Sequence, residues 1–233
     1  NFTYRESSAY QELVNIIKSG EIGIPRHISA CYYQSWLASN KWGDWREDDK
    51  WLWRLSTKHG SNGALGDTGV HIFDFAVNAV GDIKQIFADL KTYHDKGNKI
   101  KNYVLDANDG FNSLVRFENG AIGTITNSRY ATGHANSLIL EVFGTKGGLK
   151  VELDEERNKW STLHICQNEN INKMSWETVE CSKTPSNYQN FIKSIQTNKN
   201  LQPDFNQGAK IQKIIDSCIK SNDNNSWIDI NKL

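Results

Sequence analysis

Apolar residues at helical spacing predict four helices along the chain. In the first, Tyr10 and Leu13 lead a run of apolar side chains spaced by three and four residues, the period of one helix face. Ser7 or Ser8 can cap its amino end, and Gly20 follows as a stop after about residue 18. The same signals predict further helices at about 67–80, 186–197 and 206–221.

Runs of β-branched and aromatic residues predict a series of strands through the middle of the chain. Glu118-Asn119-Gly120 separates two of these runs, and Asn and Gly accept the positive φ of a tight hairpin turn. The glycine-rich segment 144–148 predicts a second hairpin in the same way. The strands are expected at 27–36, 83–93, 110–117, 121–128, 138–143 and 149–153, with shorter ones at 163–165, 176–181 and 227–230.

The order of these elements predicts an α+β domain. A helix, a strand and a second helix precede the run of strands, and two helices close the chain. We therefore expect a large, open, mostly antiparallel β-sheet of six or more strands, with helices packed on one face. Residues 36–53 are polar, charged and rich in Trp, so a long loop is expected there, and 221–226 is expected to be a turn.

Composition and charge favour one domain with an uncharged or locally recognised ligand. Of the 233 residues, 38% are apolar, enough for one core across residues 1–233. The 27 basic and 27 acidic residues cancel, so no overall field attracts nucleic acid or an anionic membrane. No apolar run approaches the roughly 20 residues that cross a bilayer. The four cysteines form no C-x-x-C pair, so reduced thiols in a soluble, cytoplasmic protein are expected.

Asp67 and His71 are the strongest candidates for acid–base chemistry. Residues four apart on a helix share one face, so the carboxylate and the imidazole can act together. Imidazole suits proton transfer because its ordinary pKa of about 6.5 lies near working pH. His71 is the candidate base, while Asp67 either orients the imidazole or hydrogen-bonds a substrate hydroxyl. The structural alternative is that Asp67 caps the helix and His71 is a partly buried core histidine.

Asp74 leaves two further interpretations open. One turn beyond His71, it either adds a substrate contact or faces solvent or a neighbouring subunit. With Asp67 and His71 it also offers oxygen and nitrogen ligands for a metal ion. A complete set would need His59, His94 or His134, and nothing in their spacing requires it, so no metal is expected.

Tryptophan is concentrated just before the Asp67 helix. Flat aromatic rings stack on the C–H faces of sugars and exclude water, so this composition suits a carbohydrate pocket. Each ring could instead simply pin a long loop to the sheet. Trp53 is the preferred ligand contact, and Arg54 could bond a hydroxyl or the cofactor. The five residues of this group are Trp36, Trp42, Trp45, Trp51 and Trp53.

Several motifs together resemble the C-terminal domain of the Gfo/Idh/MocA oxidoreductases. Trp53-Arg54 and Gly60-Ser61-Asn62-Gly63 lead into the central helix as in that family, although its usual glycine triplet is altered here. The segment 143–148 is similar to the family's common hairpin, and Asn190-Phe191-Ile192 resembles one of its closing helices. The resemblance covers essentially the whole chain. It implies a fold like the C-terminal domain of glyceraldehyde-3-phosphate dehydrogenase.

The family resemblance also implies a reaction. Its members are typically NAD(P)-dependent dehydrogenases of sugars and polyols, which implies catalytic roles for Asp67 and His71. It further places near the substrate three pairs of residues at strand ends, Tyr4 and Arg5, Tyr33 and Gln34, and Arg129 and Tyr130. The register of these short strands is open by one residue, and such a slip reverses the face. The alternative is a non-enzymatic carbohydrate-binding or sensory module that keeps the pocket.

The cofactor is expected to bind mainly outside this chain. No G-x-G-x-x-G turn follows an apolar strand, so no element here is expected to hold the pyrophosphate of NAD or NADP. The resemblance implies an upstream Rossmann domain, which would also carry the family's Glu-Lys-Pro lysine. This chain alone is therefore expected to be inactive. By the same resemblance, a dimer or tetramer is expected to form through the open sheet face.

Overall fold

A nine-stranded sheet forms the centre of the molecule. The computed structural model describes residues 2–154 and 161–232. Its strands are β1 (Pro25–Gln34), β2 (Ile83–Lys91), β3 (Lys99–Ile100), β4 (Tyr103–Val104), β5 (Gly110–Phe117), β6 (Ile122–Ser128), β7 (Asn136–Gly144), β8 (Gly147–Asp154), β9 (Thr162–Gln167), β10 (Glu177–Val179) and β11 (Ile228–Asp229). The order in the sheet is β10-β9-β8-β7-β1-β6-β5-β2-β11, and β3 pairs with β4 separately.

The sheet is antiparallel except where β1 lies beside β6. Those two strands are parallel, and β1 pairs with β7 on its other side. The predicted hairpins join β5 to β6 and β7 to β8. These pairings confirm both hairpin predictions. Gly120 suits the first turn because its φ of 87° is readily adopted by glycine.

The four predicted helices are present, and the first has the predicted capping residues at both ends. The helices of the structure are α1 (Ser8–Ser19), α2 (Asp49–Leu52), α3 (Val70–Val80), α4 (Glu169–Lys173), α5 (Asn187–Thr197) and α6 (Phe205–Asn224). The Ser7 side chain caps α1, and Gly20 ends it with a φ of 81°. Ser186 and Gln189 form a reciprocal capping box at the start of α5. No described helix is both long and apolar enough to cross a membrane.

One face of the sheet carries the helices, as predicted for this α+β fold. α1 packs against β8 and β9, α3 against β1 and β7, and α6 against β2 and β11. Alternate strand residues point into this layer, for example Ile28 and Ala30 of β1, which are buried. The intervening positions face the other way, and Leu114, Ile122 and Phe143 are exposed there. The predicted open face is therefore present in this chain.

A second, smaller core lies under the long connection between β1 and α3. It consists of Trp36, Leu37, Trp45, Leu52, Leu55 and Leu105. Burial of each large apolar side chain contributes on the order of 1.5–3 kcal/mol, so this core can hold the connection in one conformation. The connection consists mostly of turns, with α2 and short 3₁₀ segments within it.

The expected turn at 221–226 and the expected packing of α5 both differ in the structure. Residues 221–224 are the last turn of α6 rather than part of a separate turn, and Asn225 ends the helix with a φ of 47°. On α5 the predicted apolar face is largely exposed instead of packed, with Tyr188 at 70% and Phe191 at 65% of full exposure. The period of apolar residues located this face correctly but could not show what covers it.

Candidate active site

A cavity of about 320 Å³ lies at the carboxyl end of β1. Tyr32 and Gln34 line it because alternate residues of an extended strand point to the same side, and Trp36 joins them from the turn that follows β1. Asn136 joins them because it lies opposite Gln34 in the pairing of β7 with β1. The remaining lining residues are Tyr4, Trp42, Trp51, Arg54, Asp67, Thr68, His71 and Ala135.

A π-helical turn brings the two candidate catalytic residues into this cavity. The turn spans Leu65–Gly69 and runs directly into α3. Asn108 fixes its start, because its backbone oxygen accepts from Ala64 N at 2.8 Å and its side-chain oxygen accepts from Leu65 N at 2.9 Å. Such turns often occur at functional sites. Asp67 lies inside the turn and makes no capping bond, while His71 follows in the first turn of α3.

Asp67 is held by two arginines. Its Oδ2 accepts a hydrogen bond from Arg129 Nη2 at 2.9 Å and lies 3.5 Å from Arg54 Nε. Arg129 is wholly buried, whereas 29% of the Arg54 side chain and 30% of the Asp67 side chain are exposed. The carboxylate is therefore positioned from behind and open to the cavity in front.

His71 is half-buried among aromatic rings. Tyr4 meets it edge-on with ring centroids 5.0 Å apart, and Phe2 does so at 6.1 Å. Nδ1 is buried without a hydrogen-bond partner in the described part of the chain. Burial lowers the pKa of His71 to about 4, although the nearby Asp67 carboxylate acts in the opposite direction. The imidazole is thus neutral at pH 7 and able to accept a proton.

Hydroxyl and amide groups form a connected network along one wall. The Tyr4 and Tyr32 hydroxyl oxygens are 2.7 Å apart, and Tyr32 donates to Asn136 Oδ1 at 2.5 Å. Asn136 Nδ2 donates to the Tyr4 hydroxyl at 3.0 Å, and Gln34 Nε2 donates to Asn136 Oδ1 at 2.9 Å. Burial raises the pKa of Tyr32 well above its usual range, so its hydroxyl stays protonated. This wall offers donors and acceptors suited to hydroxylated ligands.

Tryptophan rings form the opposite wall. Trp36 and Trp51 lie with centroids 5.1 Å apart and planes inclined by 30°. The Arg54 guanidinium is 5.6 Å from the Trp51 ring centre, which joins this wall to the Asp67 carboxylate. Trp45 is packed in the smaller core and does not line the cavity.

The structure brings five of the predicted site residues to the cavity: His71, Asp67, Arg54, Tyr4 and Gln34. Trp53 lies outside the lining, where it is 39% exposed beneath the Arg54 guanidinium. Tyr130 also lies outside and packs edge-on against Tyr93.

The other predicted contacts are occupied within the protein. Arg5 and Asp74 form a buried ion pair with two hydrogen bonds of 2.5 and 2.6 Å, so they bond each other rather than facing the cavity. Tyr33 points to the opposite face of β1, where its hydroxyl lies 3.2 Å from Thr126 Oγ1. Arg129 lies behind Asp67.

Sequence reasoning missed two lining residues, Tyr32 and Asn136, of the wall formed by hydroxyl and amide groups. Tyr32 is one residue from the predicted Tyr33, and alternation with Gln34 was the signal that could have identified it. Asn136 reaches the site only through pairing of distant strands, for which the sequence holds no local signal. Among the described residues, no three His, Cys, Asp or Glu side chains cluster as metal ligands.

Comparison with known proteins assigns the chain to a family. The profile of the GFO/IDH/MocA C-terminal domain matches residues 10–150, more than half of the chain. The chain belongs to the Gfo/Idh/MocA family. A curated relative, levoglucosan dehydrogenase of Pseudarthrobacter phenanthrenivorans, is 23% identical over an alignment 262 residues long. The alignment covers 98% of this chain and 65% of the relative.

Solved structures of Gfo/Idh/MocA relatives share the fold. Levoglucosan dehydrogenase in complex with NADH and levoglucosan superimposes with a TM-score of 0.83 at 24% identity, covering 98% of this chain and 64% of that one. An oxidoreductase domain protein from Kribbella flavida gives a TM-score of 0.82 at 25% identity, with the same two coverages. This Gfo/Idh/MocA chain thus spans less than two thirds of the length of these relatives.

Proposed function

We propose that residues 1–233 form the substrate-binding and catalytic domain of an NAD(P)-dependent dehydrogenase that oxidises a secondary hydroxyl of a sugar, a polyol or a related compound. The observation that carries this proposal is the meeting of Asp67 and His71 in one cavity, which tyrosine and amide groups also line. The similar levoglucosan dehydrogenase, which binds NADH and levoglucosan, supports the same class of reaction.

His71 is the proposed proton acceptor. Removal of hydride from a secondary alcohol requires that the hydroxyl proton also leave, and a neutral imidazole beside the cavity can take it. When bound, the nicotinamide would accept the hydride. The aromatic rings around His71 exclude water from the imidazole and keep it uncharged until it receives the proton.

Asp67 is proposed to hold the substrate hydroxyls. The described contacts include no hydrogen bond between Asp67 and His71, and the carboxylate is anchored by Arg54 and Arg129 instead. It is therefore better placed to accept a hydrogen bond from a sugar hydroxyl than to orient the imidazole directly. Tyr4, Asn136 and the Trp36 ring complete a surface that can bind hydroxyls on one side and C–H groups on the other.

We further propose that NAD or NADP binds mainly to an upstream Rossmann domain. The sequence holds no G-x-G-x-x-G turn, and the relatives extend well beyond the matched region. Turnover would then require both domains, and the 233-residue chain alone would be inactive. A homo-oligomer, dimer or tetramer, is proposed to form through the open sheet face, which carries exposed Leu114, Ile122 and Phe143.

The proposed reaction is tested on a longer form of the protein that includes a nucleotide-binding domain. Reduction of NAD⁺ and NADP⁺ is measured with levoglucosan, L-sorbose and a panel of polyols. His71→Ala is expected to lower kcat by about 10²–10⁴-fold, the usual contribution of a positioned base. His59→Ala is the matched control, because His59 is exposed and lies outside the cavity lining.

Two results would contradict the proposal. Undiminished turnover by His71→Ala would remove this residue from the mechanism. Calorimetric binding of a sugar by the wild-type protein without any reduction of either cofactor would instead indicate a non-enzymatic carbohydrate-binding module.

A further inference from the structure

Arg129 is a wholly buried cation at the back of the cavity wall. It directly follows β6, and none of its side chain is exposed. Its Nη2 donates to Asp67 Oδ2 at 2.9 Å, and its Nη1 donates to the Arg54 backbone oxygen at 3.2 Å. The guanidinium carbon also lies 5.0 Å from the centre of the Trp36 ring. One side chain therefore contacts three residues that line the cavity.

This burial is costly unless the charge is compensated. Removing a guanidinium from water carries a penalty of several kcal/mol, which an ion pair and hydrogen bonds must offset. Asp67 supplies the only carboxylate that bonds Arg129 among the described contacts, and Trp36 supplies the attraction of an aromatic face. The groups that offset the charge of Arg129 are thus groups that the substrate would meet.

A buried carboxylate residue, Asp109, contacts the backbone of Arg129. Asp109 is wholly buried, and its backbone oxygen accepts from Arg129 N at 3.0 Å. Its side chain accepts from Tyr93 N at 2.8 Å and lies 3.8 Å from His94 Nε2. Burial raises the pKa of Asp109, while the hydrogen bond from Tyr93 N and the charge of Arg129 oppose that change. The Arg129 backbone is therefore held by Asp109, whereas the guanidinium contacts Asp67, Arg54 and Trp36.

We propose that Arg129 is a positioning residue that fixes the Asp67 carboxylate and the Trp36 ring in the geometry that receives the substrate. It does not itself line the cavity, so it acts through those two residues. The structural part of this proposal is independent of the reaction, whereas its kinetic readout rests on the proposed function.

Two substitutions separate the charge of Arg129 from its shape. Arg129→Met removes the charge and both hydrogen bonds but keeps an unbranched apolar chain of similar reach. Arg129→Lys retains the charge, but an ammonium lacks the planar fork that bonds Asp67 and Arg54 while it stacks on Trp36. Arg116→Met is the matched control, because Arg116 stacks on Trp227 on the open face, remote from the cavity.

The structural test follows the titration of His71 by NMR with ¹³C-labelled histidine in the 233-residue chain. Among charged groups, the Asp67 carboxylate raises the pKa of this imidazole and the amino terminus lowers it, while Arg54 and Arg129 are paired with Asp67. The Tyr4 and Tyr32 rings also lie against the imidazole. In Arg129→Met the Asp67 charge is less neutralised, so the pKa of His71 is expected to rise by about 1. Arg129→Lys and Arg116→Met are expected to retain the wild-type pKa.

The kinetic test uses the longer protein with levoglucosan as the probe substrate. Both Arg129 variants are expected to raise KM by about tenfold, the effect of losing roughly 1.4 kcal/mol of binding, with a smaller change in kcat. An unchanged His71 pKa and an unchanged KM in folded Arg129→Met would overturn the proposal. If Arg129→Met does not fold, Arg129→Lys decides: a raised KM supports positioning, and a wild-type KM refutes it. Lack of turnover by the wild type would count against the proposed function alone, because the NMR titration needs no activity.

Discussion

At the scale of single residues, Arg5 and Asp74 form a buried ion pair with a structural role. The two side chains are 6% and 1% exposed, and Gln207 also donates to Asp74 Oδ1 at 2.8 Å. These contacts tie the segment before α1 to α3 and α6. From sequence, Asp74 could have contacted the substrate, solvent or a neighbouring subunit. In the structure it instead connects three elements of the fold.

Asp74→Ala is expected to lower the free energy of unfolding by about 3–5 kcal/mol, because Arg5 would remain buried without its partner. Urea denaturation measures the change. Glu169→Ala is the control, since its ion pair with Lys173 is exposed and should contribute little. Equal stability of the two variants would show that Arg5 finds another partner or becomes hydrated.

The buried imidazole of His71 predicts a specific dependence of stability on pH. Its folded pKa of about 4 lies below the ordinary value of 6.5, so between these values the unfolded chain binds a proton that the folded chain does not. Stability contributed by the neutral imidazole is therefore complete above pH 6.5 and is lost as the pH falls toward 4. The loss is on the order of 2–3 kcal/mol.

The pH effect is measured as the difference in unfolding free energy between the wild type and His71→Asn from pH 4 to 7.5. This difference cancels most of the contribution from carboxylates. The unfolding free energy of the wild type, relative to that of His71→Asn, should fall as the pH falls from 6.5 toward 4. A constant difference would mean that His71 is equally easy to protonate in the folded and unfolded states.

At the scale of elements, the π turn before α3 positions Asp67 and leads directly to His71. Gly63 precedes it with a φ of 65°, and a Cβ there would lie 2.4 Å from the backbone oxygen of Asn108. That oxygen accepts from Ala64 N at the start of the turn. Displacing Asn108 would therefore also displace the segment that carries Asp67.

Gly63→Ala is expected to destabilise the fold by more than Gly60→Ala. Both glycines have positive φ, which costs a residue with a Cβ about 1–2 kcal/mol. A Cβ at Gly60 meets nothing within 4 Å, so that variant reports the conformational cost alone. Chemical denaturation of both variants gives the difference, which measures the clash with Asn108. Identical losses would show that Asn108 yields freely.

Local sequence signals were sufficient for most elements. β5 was predicted with its observed bounds, because Gly110 begins it and Glu118-Asn119-Gly120 turns the chain after it. The capping residues Ser7 and Ser186 likewise marked the starts of α1 and α5. Such signals act between neighbours in the chain, so one sequence is enough to detect them.

Features that depend on distant contacts could not be predicted from sequence. The burial of Arg129 requires Asp67 and Trp36 to meet it in space, and nothing near Arg129 in the sequence indicates this. Alternation shows that Tyr33 and Gln34 lie on opposite faces of β1, but which of these faces meets the cavity is fixed by the pairing with β6 and β7. The π turn depends on Asn108, more than forty residues away, according to the hydrogen bond to Leu65.

At the scale of the whole molecule, the described residues include at least two exposed apolar surfaces. One is the open sheet face, with Leu114 at 48% and Ile122 at 53% of full exposure. The other is the face of α5 that carries Tyr188 and Phe191. Apolar surfaces of this kind commonly mark places where another protein surface binds. The proposed oligomer assigns subunit contact to the sheet face.

Ile122→Lys is expected to shift the protein toward a smaller species, because a buried, unpaired ammonium would weaken the contact between sheets. Sedimentation velocity over a range of concentrations measures the shift. Phe191→Lys on α5 is the matched control and should leave the association unchanged. A monomeric wild type, or a shift produced by Phe191→Lys instead, would contradict the proposed interface.

The pairing of β1 with β6 and β7 affects how the chain folds during synthesis. Tyr33 faces Ser128 on one edge of β1 and Ser137 on the other, so both neighbours of this early strand are synthesised long after it. While the ribosome is still adding β5, β1 has no partner on either edge. Loop-closure entropy must be overcome before those pairings form, which slows assembly and leaves β1 open to aggregation. Synthesis of β7 is therefore the step after which both edges of β1 can be paired.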